Sequence, residues 1–343
     1  MPGARAGLAA LALLALAPVA RAQENVADFY RGKTIQVINP FAEAGLYALL
    51  AQLLAEHLPK YLPGTPSGRM VSIPGGGGLQ GVNHLYNAAA RDGTVIEVMY
   101  DNMPTEQALG LNAQVRFDAR QFGVIGSLNR GETGLVAILK RAGVASVDEA
   151  RVKTAVLGAT GTASAQFIVP NAMNQIMGTK FNLIPAYKVV TDAFLAMETG
   201  EADGIFTNFT TLAQTRPEWT REKRFNYIAQ SADRRDPDFA DVPLLQELVD
   251  DPAQKEAFRF LAMSRIPGKL IVAPPGVPPA RLEALRNAFQ RAMRDPQLLD
   301  SMAKLYQTIE PRDGPAALEV IRATIETDAA VLARVREIMG ARN

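Results

Sequence analysis

The sequence has no cysteine, two histidines and one tryptophan, and almost no excess of either charge: 36 lysines and arginines stand against 35 aspartates and glutamates. Without cysteine there is no disulfide framework, thiol nucleophile, thiolate zinc site or iron–sulfur cluster, and the isolated His57 and His84 do not make a histidine-built metal site. The charge balance leaves no basic surface for a phosphate backbone, so nucleic acid is not an expected partner. A hydrophobic content of 48% is too rich for a disordered chain. Nor does any uncharged apolar run reach the roughly 20 residues needed to span a bilayer.

The longest such run lies at the N-terminus. Arg5 precedes fifteen uncharged residues, Ala6 to Ala20, interrupted by Pro18, and Ala20-Arg21-Ala22 fits a small-x-small cleavage site. This reads as a secretory signal peptide, residues 1–22, cleaved after Ala22. Its removal takes away Arg5 and Arg21 and no acid, so the formal charge passes from +1 to −1. The remaining chain exceeds the roughly 250 to 300 residues at which single cores tend to split, which predicts two lobes.

Strand-like runs recur at 34–38, 70–73, 94–99, 123–127, 134–139, 154–157, 182–184 and 270–273, mostly separated by helical patterns, and predict an α/β fold with parallel sheets flanked by helices. Leu46, Leu49, Leu50, Leu53 and Leu54 predict a helix over 46–57 that stops at Pro59, and Ser146 with Glu149 reads as a capping box. Three helical stretches close the chain, at 279–294, 296–306 and 315–339.

In open α/β sheets ligands bind beyond the carboxyl ends of strands. Four such places are rich in small or hydroxylated residues: Ala42-Glu43-Ala44-Gly45, Pro74-Gly75-Gly76-Gly77-Gly78, Tyr100-Asp101-Asn102 and Gly158-Ala159-Thr160-Gly161-Thr162-Ala163-Ser164. Glycines let backbone N–H groups approach a ligand, and a helix start offers unpaired donors to an anion, although each loop alone is also what an ordinary turn or cap looks like. Gly76, Gly78 and Gly81 spell a dinucleotide fingerprint with Glu97 or Asp101 downstream, but four consecutive glycines satisfy that pattern easily. Ser164 is not in a nucleophile elbow, and His57 and His84 read as packed or solvated side chains. The acidic run Asp233, Asp236, Asp238 and Asp241 lacks the glycine and terminal glutamate of a calcium loop and reads as a solvated connection.

A further set of motifs runs through residues 27–340: Phe29-Tyr30-Arg31-Gly32-Lys33-Thr34-Ile35, Tyr61-Leu62-Pro63-Gly64, the Pro74–Gly78 loop, Leu85-Tyr86-Asn87, Arg91-Asp92-Gly93-Thr94, Ala196-Met197-Glu198, Gly200-Glu201-Ala202-Asp203-Gly204 and Asp241-Val242-Pro243. In order and spacing these resemble the extracytoplasmic substrate-binding proteins of tripartite tricarboxylate transporters, the Bug receptors. The resemblance implies a two-lobed periplasmic binding protein of the second type, each lobe a mainly parallel sheet flanked by helices, with residues 23–125 and 267–343 in the first lobe and 126–266 in the second. It implies a hinge near Gly126 and Ile266. It also implies a monomeric, non-enzymatic receptor without cofactor, which takes a small organic acid in the periplasm and delivers it to membrane permease subunits. Carried onto this chain, the ligand-binding candidates are Ala44, Gly45, Gly76, Gly77, Tyr100, Asn102, Thr160, Thr162, Ser164, Tyr187 and Asn208.

The chain departs from the family pattern where Ala48 stands in place of an expected aspartate and Gln52 in place of an expected arginine, while Glu43 adds a negative charge to the loop. Val189 and Val190 follow Tyr187-Lys188 where small residues are common, and Lys188 and Arg130 are candidate compensating cations. The alternative from a different class is an exported enzyme using the Gly75–Gly78 loop for a nucleotide or phosphate.

Overall fold

The computed structural model describes residues 25–339 apart from 42, 44, 130, 163, 188–189, 264–267 and 306–308. The signal-peptide expectation, and the candidates Ala44, Lys188, Arg130 and Ile266, therefore lie outside the described residues. Among the described residues eleven strands form two sheets. They are β1 (Thr34–Asn39), β2 (Ser67–Ser72), β3 (Val95–Met99), β4 (Gly123–Ser127), β5 (Gly134–Leu139), β6 (Thr154–Gly158), β7 (Lys180–Ile184), β8 (Gly204–Asn208), β9 (Phe225–Ser231), β10 (Leu270–Ala273) and β11 (Arg312–Asp313). The first sheet has the order β11-β4-β10-β3-β1-β2 and the second β7-β6-β8-β5-β9.

Parallel pairing holds over β1–β3 and over β6–β8, where helices carry the crossovers. β10 and β11 in the first sheet, and β5 against β8 and β9 in the second, pair antiparallel. These are the strands next to which the chain leaves one sheet for the other.

Strand alternation sorts the core. Ile96 and Val98 of β3 join Val37, Leu50, Leu54 and Phe289 on one face, whereas Val95 and Met99 join Ile38, Val82 and Leu85 on the other. The predicted helix Leu46–His57 supplies the first face and ends at the turn Leu58–Tyr61, which holds Pro59. His57, buried at its end, lies 2.7 Å through Nδ1 from Asp295 Oδ2, and the imidazole holds that carboxyl below its usual range. The second sheet packs Val136, Leu157 and Phe206 against Met173 and Phe258, and its other face packs Ala137 and Ile205 against Phe194 and Trp219.

The expected helix over 315–339 is two helices, Gly314–Ile325 and Ala329–Ile338, because Asp328 starts a new one by accepting the Ala330 N–H at 2.8 Å. Grouping residues 267–343 with the first sheet does not extend to that last helix. Leu332, Val335 and Ile338 are buried with the second sheet's cluster, and Asn171 Nδ2 donates to the Ile338 carbonyl at 2.7 Å. From the same helix Arg336 Nε donates to the Leu109 carbonyl at 2.6 Å, at the end of the first lobe's helix Met103–Leu109.

The crossing between the sheets begins one residue beyond Gly126. That residue is inside β4, and a Cβ there would lie 2.3 Å from the Phe289 ring, so the glycine serves close packing. The chain leaves the sheet after Ser127.

One feature of this core conflicts with its surroundings. Glu97 is fully buried on β3 beside Val95 and Met99, and among the described residues neither carboxylate oxygen has a hydrogen-bond partner. Burial raises its pKa well above the ordinary value. The unfolded chain releases this proton at lower pH than the folded one. Stability from this group is thus fully present below the usual glutamate range and is lost as pH rises through the raised folded-state value. Glu97→Met, which fills the space without a polar group, should stabilise the protein at pH 7 by about 1–3 kcal/mol and flatten the pH dependence of thermal unfolding. A lower melting temperature in the variant would mean that the carboxyl is satisfied after all.

Candidate functional site

The glycine loop follows β2 at the carboxyl edge of the first sheet. Gly75, Gly76, Gly77 and Gly78 hold φ of +140°, +57°, +66° and +98°, a run that residues with a Cβ do not sustain. The turn closes through N–H groups of Gly78 and Gln80 on the Gly75 carbonyl, at 3.0 and 3.2 Å, and runs straight into the helix Leu79–Asn87. Gly76 and Gly77 are exposed at the helix start, where backbone donors face outward. Of the two acids that could complete the dinucleotide pattern, Glu97 is buried in the core, and Gly81 packs on Pro40, 3.1 Å from the position of a Cβ.

Beside this loop stands an aromatic wall. Phe41, Tyr47 and Tyr100 meet edge to face, with centroids 5.0 Å (Phe41–Tyr47), 5.4 Å (Phe41–Tyr100) and 5.8 Å (Tyr47–Tyr100) apart. A Cβ on Gly78 would touch Tyr100 at 3.5 Å and Phe41 at 3.6 Å, so the glycine turn lies directly on this wall. Only Tyr100 is a candidate from sequence; Phe41 and Tyr47 flank the small-residue loop, and their aromatic character next to it was the available signal. The Tyr47 hydroxyl is buried beside the Asp101 backbone. Its pKa is raised well above the ordinary value, first by burial and then by the charge of Asp101, with a smaller contribution from Glu132. Gly45 precedes this helix with φ +102°. Ala48 is buried in the helix, and Gln52 turns to Glu56 on the exposed face, donating at 2.6 Å.

The second sheet offers a matching edge. Ser164 precedes the helix Ala165–Met177 and donates through Oγ to the Gly161 carbonyl at 2.7 Å, while Thr160 Oγ1 donates to Gln166 Oε1 at 3.3 Å. Thr162 is exposed on the same turn. Tyr187 lies against the end of β6, where a Cβ on Gly158 would sit 3.0 Å from its ring, and its hydroxyl donates to Glu201 Oε1 at 3.1 Å. Asn102 stands before the helix Met103–Leu109 with its amide on Glu106 Oε1 at 2.8 Å. Thus Gly45, Gly76, Gly77 and Tyr100 gather at the ends of β1–β3, and Thr160, Thr162, Ser164 and Tyr187 at the ends of β6 and β7.

Asn208 ends β8, the parallel neighbour of β6, at the same edge of the second sheet as the latter group. Its Oδ1 accepts the Thr211 N–H at 2.7 Å and its Nδ2 donates to Glu132 Oε2 at 2.7 Å, so it is engaged on both sides. Glu132 lies in the crossing from β4 to β5, and Lys269 in the return to β10; Lys269 Nζ is 3.9 Å from the same Oε2. Sequence spacing gave no sign of this pair, since 137 positions separate the two.

A cavity of about 550 Å³ lies at the β9 and β11 side of the crossings, lined among others by Asn129, Glu132, Asn208, Ser231, Asp236 and Arg312. Of the sequence candidates it includes Asn208 alone. Asp236, in the acidic run, accepts from Thr133 Oγ1 at 2.7 Å and caps the Asp238 N–H at 3.0 Å. Among the described residues no group of three or more acidic or imidazole side chains is placed to hold a metal, and no helix is long and apolar enough to cross a membrane.

Comparison with known proteins places this arrangement. A ligand-free TctC solute-binding protein from Polaromonas superposes with a TM-score of 0.69 at 20% identity, covering 91% of this chain and 100% of its own. MatC from Rhodopseudomonas palustris, with bound malate, superposes at 0.58 and 16% identity over 90% of this chain and 99% of that one. An R. palustris protein with adipate gives 0.60 and 15% identity, over 90% and 97%. These likenesses show the two-lobed binding-protein fold. No curated protein matched the chain. Residues 70–326 match the sequence profile of the tripartite tricarboxylate transporter family receptor, and the chain belongs to that family.

Proposed function

We infer that the chain is a periplasmic solute-binding protein that captures a small carboxylic acid between its two lobes and passes it, untransformed, to the membrane permease of a tripartite transporter. One observation carries this reading: in a member of a receptor family, two helix-starting loops, Gly75–Gly78 and Gly158–Ser164, stand at the carboxyl edges of two sheets and offer donors suited to an anion. The relatives that hold malate and adipate support the ligand class. The ligand-binding set is Ala44, Gly45, Gly76, Gly77, Tyr100, Asn102, Thr160, Thr162, Ser164, Tyr187 and Asn208, joined by Phe41 and Tyr47. The lobes divide at the two crossings, the first after Ser127 and the second before Lys269, and the receptor works as a monomer.

The charge around the loops narrows the class. Glu43 is exposed on the loop after β1, and a carboxylate there disfavours a second or third negative charge on a ligand held by the glycine turn. The receptor therefore selects a monocarboxylate, or an acid bearing an amine or neutral polar group, over citrate-like ligands.

Three measurements test this reading. Protein recovered from the periplasm of its native host should have an intact mass lacking residues 1–22, whereas a full-length cytosolic product would remove the export step. Scattering at saturating ligand should give a smaller radius of gyration than without it, because a ligand held between lobes stabilises the closed state by its differential affinity; an unchanged radius with proven binding would mean a rigid cleft. In a calorimetric panel of mono-, di- and tricarboxylates, with nucleotides as controls, wild type should prefer monocarboxylates and Glu43→Gly should tighten dicarboxylates by roughly fivefold. Tight citrate binding unaffected by the substitution would show that Glu43 takes no part, and stabilisation by nucleotides alone would favour an enzyme.

A further inference from the structure

The floor of the cleft, where the chain crosses between sheets, holds a charged pair, Lys269 and Glu132, to which the receptor reading gives no task. Lys269 is 8% exposed at the side chain, and Glu132 is 23% exposed. A buried ammonium needs a counter-charge, and here it stops 3.9 Å short of one, beyond hydrogen-bond length. Asn208 Nδ2 meets the same oxygen, Glu132 Oε2, at 2.7 Å. An amide N–H and an ammonium converging on one carboxylate oxygen are the parts of a carboxylate receptor. In this chain the protein's own side chain fills it.

Two further observations fit a side chain that can leave. Glu132 is flanked by Gly131, whose φ is +84°, and with Asn208 it lines the 550 Å³ cavity, whose wall carries Arg234, Arg235 and Arg312 among several carboxylates. It therefore has backbone freedom beside it and space to move into. Asn208, its partner, ends β8, which runs parallel beside β6, so the carboxylate stands at the same sheet edge as the Gly158–Ser164 loop.

We propose that Glu132 is an internal stand-in for a ligand carboxylate: it occupies the anion position made by Asn208 and Lys269, and a ligand that brings a carboxylate to the cleft floor binds only by displacing it. Glu132 is then a specificity-determining residue that lowers affinity most for ligands with a second carboxylate, and Lys269 is the cation that receives the incoming group. This rests on the carboxylate-receptor reading.

The test is calorimetry of the purified receptor with butyrate, malate, adipate and citrate. Glu132→Gln keeps the volume and an acceptor for Asn208 but removes the charge, and should bind malate or adipate at least about tenfold more tightly while butyrate changes less than about threefold. Lys269→Gln should weaken the dicarboxylates by about tenfold or more. Glu132→Asp, which keeps the charge on a side chain one methylene shorter, should give an intermediate gain and serves if Glu132→Gln does not fold, as judged by its thermal transition. Wild type that binds a dicarboxylate no more weakly than the folded Glu132 variants overturns the stand-in and leaves the receptor reading intact. No binding of any of the four acids by wild type or variants overturns the receptor reading and the stand-in together.

Discussion

The geometry of this molecule hangs on how two stretches of chain pass side by side between the sheets. The Leu128 N–H donates to the Lys269 carbonyl at 3.0 Å, and the Lys269 N–H donates to Asn129 Oδ1 at 3.1 Å. Ser127 adds a hydroxyl donated to the Asn129 carbonyl at 2.5 Å. Gly268 permits the approach, since a Cβ there would fall 2.1 Å from that carbonyl. The outgoing and returning segments are thus bonded into one ribbon before either reaches its sheet. Leu128 is buried with the first sheet's cluster, and the rest of the ribbon is where a change in the angle between the sheets would be taken up.

A third tie limits that freedom. The helix Ala329–Ile338 buries Leu332, Val335 and Ile338 with the second sheet while Arg336 holds the carbonyl end of Met103–Leu109. A guanidinium on carbonyls at a helix end is a favourable charge–dipole contact, and Gly110 in the left-handed region leaves the end open to it. Because Ala108 and Leu109 are themselves buried with the second sheet's cluster, the contact is apolar as well as polar. Opening of the lobes has to pivot about this helix or slide over it.

Much of this was legible in the sequence. Alternating apolar runs marked eight of the strands, and Ser146 starts its helix as expected, accepting the Glu149 N–H at 3.1 Å while Glu149 reaches back to the Ala145 N–H. Three strands escaped. β8 starts on Gly204, the last residue of the Gly200–Gly204 motif, and has only five residues, β9 mixes Asn226 and Gln230 into an otherwise apolar run, and β11 has only two residues. The site was legible where it is local, as backbone turns and helix starts. It was not legible where it depends on partners distant in sequence: the Glu132–Lys269 approach and the His57–Asp295 pair each join residues that only the completed fold brings together.

What the sheet edges offer follows from the positions of their charges. Backbone N–H groups at Gly76, Gly77 and the start of Ala165–Met177 carry partial positive charge and suit an anion. The aromatic wall stands against the glycine turn, since a Cβ on Gly78 would touch both Tyr100 and Phe41. The charge of Asp101 raises the pKa of the buried Tyr47 hydroxyl in that wall, and Glu43 is exposed on the loop that leads into the same helix. An anion at the wall therefore meets like charge, while a flat or apolar body meets the edges and faces of three rings. Donors for an anion and an apolar face thus stand side by side at one sheet edge, and not at opposite ends.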